Sequence, residues 1–178
     1  MADLCAAPGG KTVQLTYRWA RVTAFDISDK RVQRLRENMA RLGLEIDVRV
    51  ADVLNLNEVE MFDAVLLDAP CSATGTLARH PEIKYHRSPE DVMRLAEVQK
   101  ELLKKAISLV KSGGEIVFST CSVEPQEGDE VIGSVLDAVD IIQPTDPRWK
   151  PFLTPLGSLR ILPLNGFDGF YACLMRKK

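Results

Sequence analysis

Two cysteines of this chain stand at the ends of apolar segments and are the residues best suited to covalent chemistry. Cys71 follows the run 64–70, Cys121 follows the run 115–120, and a serine comes directly after each. A thiolate is a strong nucleophile near neutral pH. Because ligands of an open parallel sheet bind beyond the carboxyl ends of its strands, two such runs would bring two potential nucleophiles to one crevice.

A glycine-rich segment near the start of the chain indicates a ligand-binding turn. Residues 6–12 end in Gly-Lys-Thr, but a phosphate-binding loop would need a glycine where Cys5 stands. The adjacent glycines Gly9 and Gly10 also do not fit a dinucleotide fingerprint. The segment therefore predicts a tight turn between a strand and a helix, where a ligand can approach the backbone closely. A plain turn without a ligand is the alternative.

Two acids follow this turn at the ends of the next two predicted strands. Asp26 lies 16 positions after Gly10, where a carboxylate can hold the hydroxyl pair of a ribose. Asp52 could accept a hydrogen bond from the amino group of an adenine. Each acid alone is more commonly a helix cap or a solvated loop residue. Together with the turn they favour a nucleoside cofactor without a diphosphate, which indicates S-adenosylmethionine.

The elements around these residues alternate between strands and helices. Ser28 is expected to cap a helix that Gly43 ends, and 88–91 is expected to begin a longer helix that runs to about Lys111 and ends at 112–114. We predict strands over 20–25, 46–50, 61–67, 115–120, 141–142, 160–162 and 170–175, a helix over 127–139 and a loop over 144–155. The alternation predicts a doubly wound α/β sheet with helices on both faces.

Length and composition predict one domain over residues 1–178 without a membrane span. No apolar run approaches the roughly 18 residues that a spanning helix needs, and no signal layout precedes the first motif, so we expect a cytoplasmic protein. Four widely spaced cysteines predict reduced thiols and no metal site. Cys5 and Cys173 are expected to be small buried hydrophobic residues.

The net charge and the distribution of basic residues indicate whether the chain binds a nucleic acid. A formal net charge of −2 argues weakly against a stand-alone nucleic-acid-binding protein. A basic cluster over 79–87 nevertheless follows the first thiol segment directly, which favours contact with an RNA backbone over an ordinary solvated loop.

Three segments closely resemble signature motifs of the Nol/Nop/Sun family of RNA cytosine-5 methyltransferases, and two further segments also resemble that family. In chain order they are DLCAAPGGKT at 3–12, DAPCSATG at 68–75, RHPEIK at 79–84, STCS at 119–122 and DGFY at 168–171. The third and fifth resemble the bacterial Sun (Fmu) ribosomal RNA branch in particular. The resemblance implies a Rossmann-like S-adenosylmethionine-dependent methyltransferase fold, with a mostly parallel doubly wound sheet and an antiparallel C-terminal strand.

The resemblance also implies a role for each motif. Cys121 would add to carbon 6 of cytosine, and Cys71 would help to resolve the covalent adduct after methylation. Asp68 would contact the edge of the cytosine ring and lie near the cofactor, and Lys11 would lie near the reaction centre or the cofactor's carboxylate. The implied cofactor-binding residues are Cys5, Ala6, Ala7, Pro8, Gly9, Gly10, Lys11, Asp26, Arg31, Asp52 and Asp68, and the implied RNA-binding residues are Arg79, His80 and Lys84.

The expected substrate is a structured RNA that presents an unpaired cytosine, because a base within a duplex must first be flipped out of its stack. Ribosomal RNA is favoured by the resemblance, with transfer RNA as the alternative. Members of the family that this chain resembles usually carry a longer first strand and, before it, an RNA-binding domain. The first strand is therefore expected to be truncated here. A non-catalytic cofactor- or RNA-binding fragment is therefore a second hypothesis. A cysteine hydrolase would need a histidine beside a thiol, and the chain has only His80 and His86.

Overall fold

The computed structural model describes residues 1–18, 21–164 and 166–178, which build one mixed sheet with helices packed on it. The strands in this part of the chain are β1 (Ala2–Asp3), β2 (Thr23–Asp26), β3 (Asp47–Val50), β4 (Phe62–Asp68), β5 (Val110–Thr120), β6 (Val139–Ile141), β7 (Leu159–Ile161) and β8 (Phe170–Lys177). The α-helices described are α1 (Gly10–Arg18), α2 (Asp29–Arg41), α3 (Ile83–His86), α4 (Pro89–Leu109) and α5 (Asp129–Gly133).

The sheet order is β3-β2-β1-β4-β5-β8-β6, and β7 also pairs with β8. Strands β1 to β5 are parallel, whereas β8 runs antiparallel to β5, and β6 and β7 run antiparallel to β8. The predicted mostly parallel sheet with an antiparallel C-terminal strand is confirmed: β8 is the reversed strand, and β6 and β7, which are antiparallel to β8, run in the same direction as β5. The short strand β1 lies between β2 and β4, where the strand order reverses, and ligands of open α/β sheets bind beyond such a point.

Helices cover both faces of the sheet, as alternation along β2 shows. Phe25 belongs to the larger buried cluster, in which α4 contributes Leu102 and Leu103, whereas its neighbour Ala24 packs with Leu35 of α2 in a separate cluster. Successive side chains of a strand point to opposite faces, so α2 and α4 lie on opposite sides. The cap at Ser28 and the capping box of Ser88 with Asp91 are present as the sequence predicts.

Two predicted boundaries are wrong. The helix expected over 127–139 is limited to the five residues of α5 and follows a 3₁₀ turn over Pro125–Glu127. The side chain of Glu127 is fully buried and Gly128 packs against the ring of Tyr171, so tertiary contacts set the backbone there instead of helical periodicity. Helix α4 ends at Leu109, and the segment 112–114 lies inside β5.

The remaining differences are small. Of the strand expected over 20–25, Ala20 lies outside the described residues and β2 begins at Thr23. The expected loop over 144–155 contains a 3₁₀ helix over Pro147–Phe152. Within the described ranges, no helix combines the length and the hydropathy that crossing a membrane would require.

Candidate active site

The two cysteines lie side by side beyond the carboxyl ends of neighbouring strands. Strands β4 and β5 are parallel, with Asp68 opposite Ser119, so the segments that leave them start at the same edge of the sheet. The Sγ atoms of Cys71 and Cys121 are 3.1 Å apart. The fold therefore places both thiols in one crevice, as the sequence pattern predicts.

This contact makes the two thiols chemically unequal. The hydrogen bond from Cys71 lowers the pKa of Cys121 to about 7, with burial and the charge of Asp68 opposing and Lys11 assisting. The same hydrogen bond, together with burial, raises the pKa of Cys71 far above its usual range. At neutral pH a large fraction of Cys121 is therefore thiolate, while Cys71 stays protonated and donates to it.

Asp68 is fixed from two sides at the end of β4. Lys11 Nζ donates to Asp68 Oδ2 at 2.7 Å, and Ser119 Oγ donates to Asp68 Oδ1 at 2.7 Å. The Asp68 side chain keeps 31% of its surface exposed, so it can still contact a ligand. Lys11 also lies 5.4 Å from the ring centroid of Phe170, so β8 helps to position its ammonium group.

Both thiols line a cavity of about 410 Å³ that reaches the ends of β1 to β5. Of the predicted cofactor-binding residues it contains Cys5, Ala7, Asp26, Arg31, Asp52 and Asp68. A neighbouring cavity of about 390 Å³ shares three of these and adds Ala6, Pro8, Gly10 and Lys11. Gly9 lines neither of these two cavities; it has φ +106° and a Cβ there would lie 2.4 Å from Leu35 Cδ1, so its role is to let the turn pack on α2.

The buried carboxylate of Asp26 organises the glycine-rich turn. Asp26 Oδ2 accepts from the backbone N of Ala7 at 3.2 Å and lies 3.2 Å from Arg31 Nη2, while Oδ1 accepts from the backbone N of Ser28 at 3.0 Å. Arg31 also donates to the carbonyl of Ala7 at 2.6 Å. Asp26 and Arg31 therefore hold the turn and the end of β2 together at the cavity wall.

Asp52 has a different environment. Its carboxylate accepts from the backbone N of Leu54 at 3.0 Å and from Asn55 Nδ2 at 2.9 Å, so it caps a short 3₁₀ turn at the cavity wall. Cys5 is a neutral thiol at neutral pH, because burial, and next the charge of Asp26, raise its pKa to about 12. Cys173 is buried in the core, where burial raises its pKa to about 12.

Sequence reasoning missed Asp3 as a site residue. Burial raises the pKa of Asp3 to about 6, against the hydrogen bond that Thr12 Oγ1 donates to its Oδ2 at 2.7 Å. Asp3 Oδ1 is buried without a hydrogen-bond partner, although Asp3 lines the second cavity. Its position at the end of a strand, like those of Asp26 and Asp68, was the signal that could have found it.

The predicted RNA-binding residues lie outside the thiol cavity, on an exposed neighbouring segment. Arg79 forms an ion pair with Asp168, His80 Nδ1 lies 3.1 Å from Glu82 Oε1, and Lys84 is exposed. Neither His80 nor His86 lines the cavity that holds the thiols, so the arrangement does not favour the cysteine hydrolase. The segment 79–87 thus carries cationic side chains beside the crevice, but neither of its histidines is placed to act as a base for the thiols.

Gly75 joins this segment to the Cys121 loop. Its backbone N donates to the carbonyl of Cys121 at 3.0 Å, and its carbonyl accepts from the backbone N of Gly169 at 2.7 Å. A Cβ at Gly75 would lie 2.4 Å from Gly169 O and 2.7 Å from Cys121 O. Both neighbours are backbone atoms, so three loops pass too close together for any side chain at this position.

We therefore expect Gly75→Ala to lower the free energy of unfolding by about 2 kcal/mol or more, because the backbones must separate. Urea denaturation measures the change. Gly133→Ala is the matched control: a Cβ at Gly133, in α5, meets no atom within 4 Å, and alanine is the better helix former. Equal stability of the two variants would contradict the close approach at Gly75.

Four buried polar residues behind the thiols were also missed. Ser72, Ser122, Gln99 and Glu127 form one hydrogen-bonded network, with Glu127 at its centre. The serines could have been found, because one follows each cysteine. Among the described residues, no group of three or more histidine, cysteine or acidic side chains is arranged to hold a metal ion.

Comparison with known proteins decides the family. The family described as 16S rRNA methyltransferase RsmB/F matches residues 1–176. The chain belongs to this family. The resemblance to the Sun branch is thereby confirmed.

Two curated relatives of this RsmB/F family member are each more than twice its length. It is 39% identical to the probable ribosomal RNA small subunit methyltransferase B of Bacillus subtilis and 38% identical to the ribosomal RNA small subunit methyltransferase B of Yersinia enterocolitica. Each match covers 99% of this chain and 42% of the relative. The chain therefore spans about 42% of the length of these relatives.

Solved structures share the fold of this RsmB/F family member. NSun6 from Pyrococcus horikoshii, solved with SFG, has a TM-score of 0.84 at 27% identity and matches 99% of this chain over 47% of its own. A methyltransferase homologue from the same organism has a TM-score of 0.79 at 34% identity, with 99% and 61% covered. The fold is the Rossmann-like fold of S-adenosylmethionine-dependent methyltransferases.

Proposed function

We propose that this chain methylates carbon 5 of cytosine in RNA, with S-adenosylmethionine as methyl donor and Cys121 as nucleophile. The observation that carries the proposal is the 3.1 Å contact between Cys71 and Cys121, in which one thiol has a lowered and the other a raised pKa. Carbon 5 of cytosine is a weak nucleophile and needs a group that adds to carbon 6. A methyltransferase that acts on nitrogen or oxygen has no need of such a pair.

The residues of the site fit the steps of this reaction. The Cys121 thiolate adds to carbon 6, and the electron pair of the ring then makes carbon 5 nucleophilic. Asp68, held by Lys11 and Ser119, is suited to hydrogen-bond the edge of the ring and so stabilise the adduct. The bound cofactor would supply the methyl group from a sulfonium centre.

Release of the product requires a base. After transfer, carbon 5 carries both the new methyl group and its original hydrogen. Removal of that proton restores the double bond and expels Cys121 as a thiolate. The hydrogen bond to Cys121 is the largest cause that keeps Cys71 protonated. Once Cys121 is bonded to carbon, Cys71 can lose its proton more easily and act as this base or assist it.

The cavities suit S-adenosylmethionine. The methionine part carries an ammonium group, and the buried Asp3 Oδ1, which has no hydrogen-bond partner, is a suitable acceptor for it. Asp26 and Asp52 line the larger cavity and could hold the ribose and the adenine. NSun6 was solved with SFG, which supports a cofactor of this type. The residues present therefore fit the group.

Ribosomal RNA is the proposed substrate because the relatives are named as methyltransferases of small-subunit ribosomal RNA. Arg79, His80 and Lys84, on the segment beside the crevice, are proposed to contact its phosphates. The test is to incubate the chain with ribosomal RNA and S-adenosylmethionine labelled in the methyl group, and then to identify the labelled nucleoside. Labelled 5-methylcytidine is expected. Cofactor binding without any labelled nucleoside would instead favour the non-catalytic fragment.

The cofactor assignment predicts that Asp26→Asn weakens S-adenosylmethionine binding at least about tenfold, because an amide cannot accept from Ala7, Ser28 and a ribose hydroxyl together. Isothermal titration calorimetry measures the dissociation constant. Asp29→Asn removes an exposed carboxylate at the start of α2 that does not line the cavity, and it should leave the constant unchanged. Similar affinities for both variants would contradict the placement of the cofactor.

A further inference from the structure

We propose that Glu127 is a positioning residue that holds the loops carrying Cys71 and Cys121 together. The proposal deepens the proposed function and rests on it for its catalytic meaning. The geometry itself is a property of the chain without RNA or cofactor. It can therefore be tested separately from methyl transfer.

The carboxylate of Glu127 is fully buried and directed at the loop that follows β4. Its Oε1 accepts from the backbone N of Ser72 at 2.8 Å and from Gln99 Nε2 at 3.0 Å. Its Oε2 accepts from the hydroxyl of Ser72. A buried carboxylate is costly unless donors replace its water, and here three donors from two elements do so. No ion pair identified among the described residues includes Glu127.

The same network reaches the loop of the second thiol. Ser72 Oγ lies 3.2 Å from Ser122 Oγ, which lies 3.2 Å from Thr74 Oγ1. The hydroxyl of Thr120 donates to the backbone carbonyl of Glu127 at 3.4 Å. Ser122, which follows Cys121, is therefore linked to Ser72, and Thr120, which precedes Cys121, is linked to Glu127 itself.

Helix α4 contributes Gln99 to the network. Gln99 is fully buried and uses its Nε2 twice, to Glu127 and to the carbonyl of Pro70 at 2.8 Å. Pro70 and Ser72 flank Cys71, so both neighbours of this thiol are fixed by side chains that do not enter the cavity. None of the hydrogen bonds described for Glu127 involves a thiol, and Glu127 does not line the cavity with Cys71 and Cys121. Glu127 thus acts on Cys121 through other residues, whereas at Cys71 its charge is the last of the causes that raise the pKa.

Loop separation has a direct chemical consequence. The contact between the two sulfur atoms is short-range, so a displacement of about 1 Å would weaken it severely. Cys121 would then return toward the ordinary thiol pKa of about 8.5. Ser72→Ala, which removes one oxygen from the network, should weaken the hydrogen bonding that holds the two cysteine loops together. Glu127→Ala should weaken it further.

The experiment is the pH dependence of iodoacetamide alkylation of the whole chain without RNA or cofactor, with Cys121 and Cys71 quantified separately by mass spectrometry. For the chain without substitutions, the midpoint of the pH dependence of Cys121 alkylation is expected near pH 7. In Glu127→Ala it should rise by about one unit, which lowers the alkylation rate at pH 7 several-fold, and in Ser72→Ala it should rise by a smaller amount. Phenylarsine oxide, which bridges two adjacent thiols with loss of water, should bind the unmodified chain and bind these variants more weakly.

Two further variants separate positioning from general stability. Glu127→Gln keeps the shape, accepts from Ser72 N through its oxygen and donates to Ser72 Oγ, so it should retain the low midpoint. Ser158→Ala removes an equally buried hydroxyl, which donates to Asp129 at 2.6 Å, and should leave both readouts unchanged.

The proposal is overturned if folded Ser72→Ala and Glu127→Ala keep the original midpoint and arsenical binding. It is also overturned if Glu127→Gln loses as much as Glu127→Ala, or if Ser158→Ala shifts the midpoint equally. Should Glu127→Ala not fold, Ser72→Ala alone decides. If these thiol measurements contradicted the role of Glu127, the methylation assay could still give labelled 5-methylcytidine. Conversely, a chain that transfers no methyl group could still show the low Cys121 midpoint and the arsenical binding.

Discussion

Cys121→Ala should reduce methyl transfer at least about 10⁴-fold, the size of effect expected when a covalent nucleophile is removed. The lowered pKa makes Cys121 the thiol that is ionised near neutral pH, and an alanine cannot add to carbon 6. In the chain without substitutions the rate should rise with pH, reach half of its maximum near pH 7 and level off about one unit higher, because the thiolate is the reactive form. Transfer of labelled methyl groups to RNA measures both effects.

Cys173→Ala is the control for loss of a thiol as such. Cys173 lies in the core on β8, does not line the thiol cavity and has a raised pKa. This variant should lose stability by cavity formation but keep its rate of methyl transfer per folded molecule. Full activity of Cys121→Ala would show that the proposed covalent mechanism is wrong.

The fold could be predicted from the sequence because local signals agreed with tertiary structure over most of the chain. The Ser28 cap is a local feature, as are the apolar residues Val32, Leu35 and Met39 at spacings of three and four, and the structure has the cap and buries all three side chains. The predicted helix over 127–139 failed for the opposite reason. Glu127 turns inward to Ser72 and Gln99, which are distant in sequence, and no local pattern encodes such a contact.

The site could be predicted only in part. Residues at strand ends, such as Asp26, Cys71 and Cys121, were accessible because the fold class alone determines where strand ends meet. The 3.1 Å separation of the thiols and their unequal pKa values were not, because these depend on register and burial. Gln99 offered one signal: it is a polar residue on the apolar face of α4, where it is fully buried. A polar residue at such a position requires a partner.

Cys71→Ala should convert turnover into accumulation of a covalent complex. Cys121 remains able to add to carbon 6 and the methyl group can still be transferred, but the proposed base beside the adduct is missing. Loss of the hydrogen bond from Cys71 also raises the pKa of Cys121, so the adduct should form slowly at pH 7 and readily at about pH 8.5.

Denaturing gel electrophoresis with labelled RNA measures the complex as a band of reduced mobility that appears only when S-adenosylmethionine is present or appears more strongly with it. The double variant Cys71→Ala, Cys121→Ala should show no such band, because the sulfur that bonds to carbon 6 is absent. If Cys71→Ala instead turned over at the rate of the unmodified chain, then release would not depend on Cys71. The 3.1 Å contact would in that case serve only to lower the pKa of the attacking thiol.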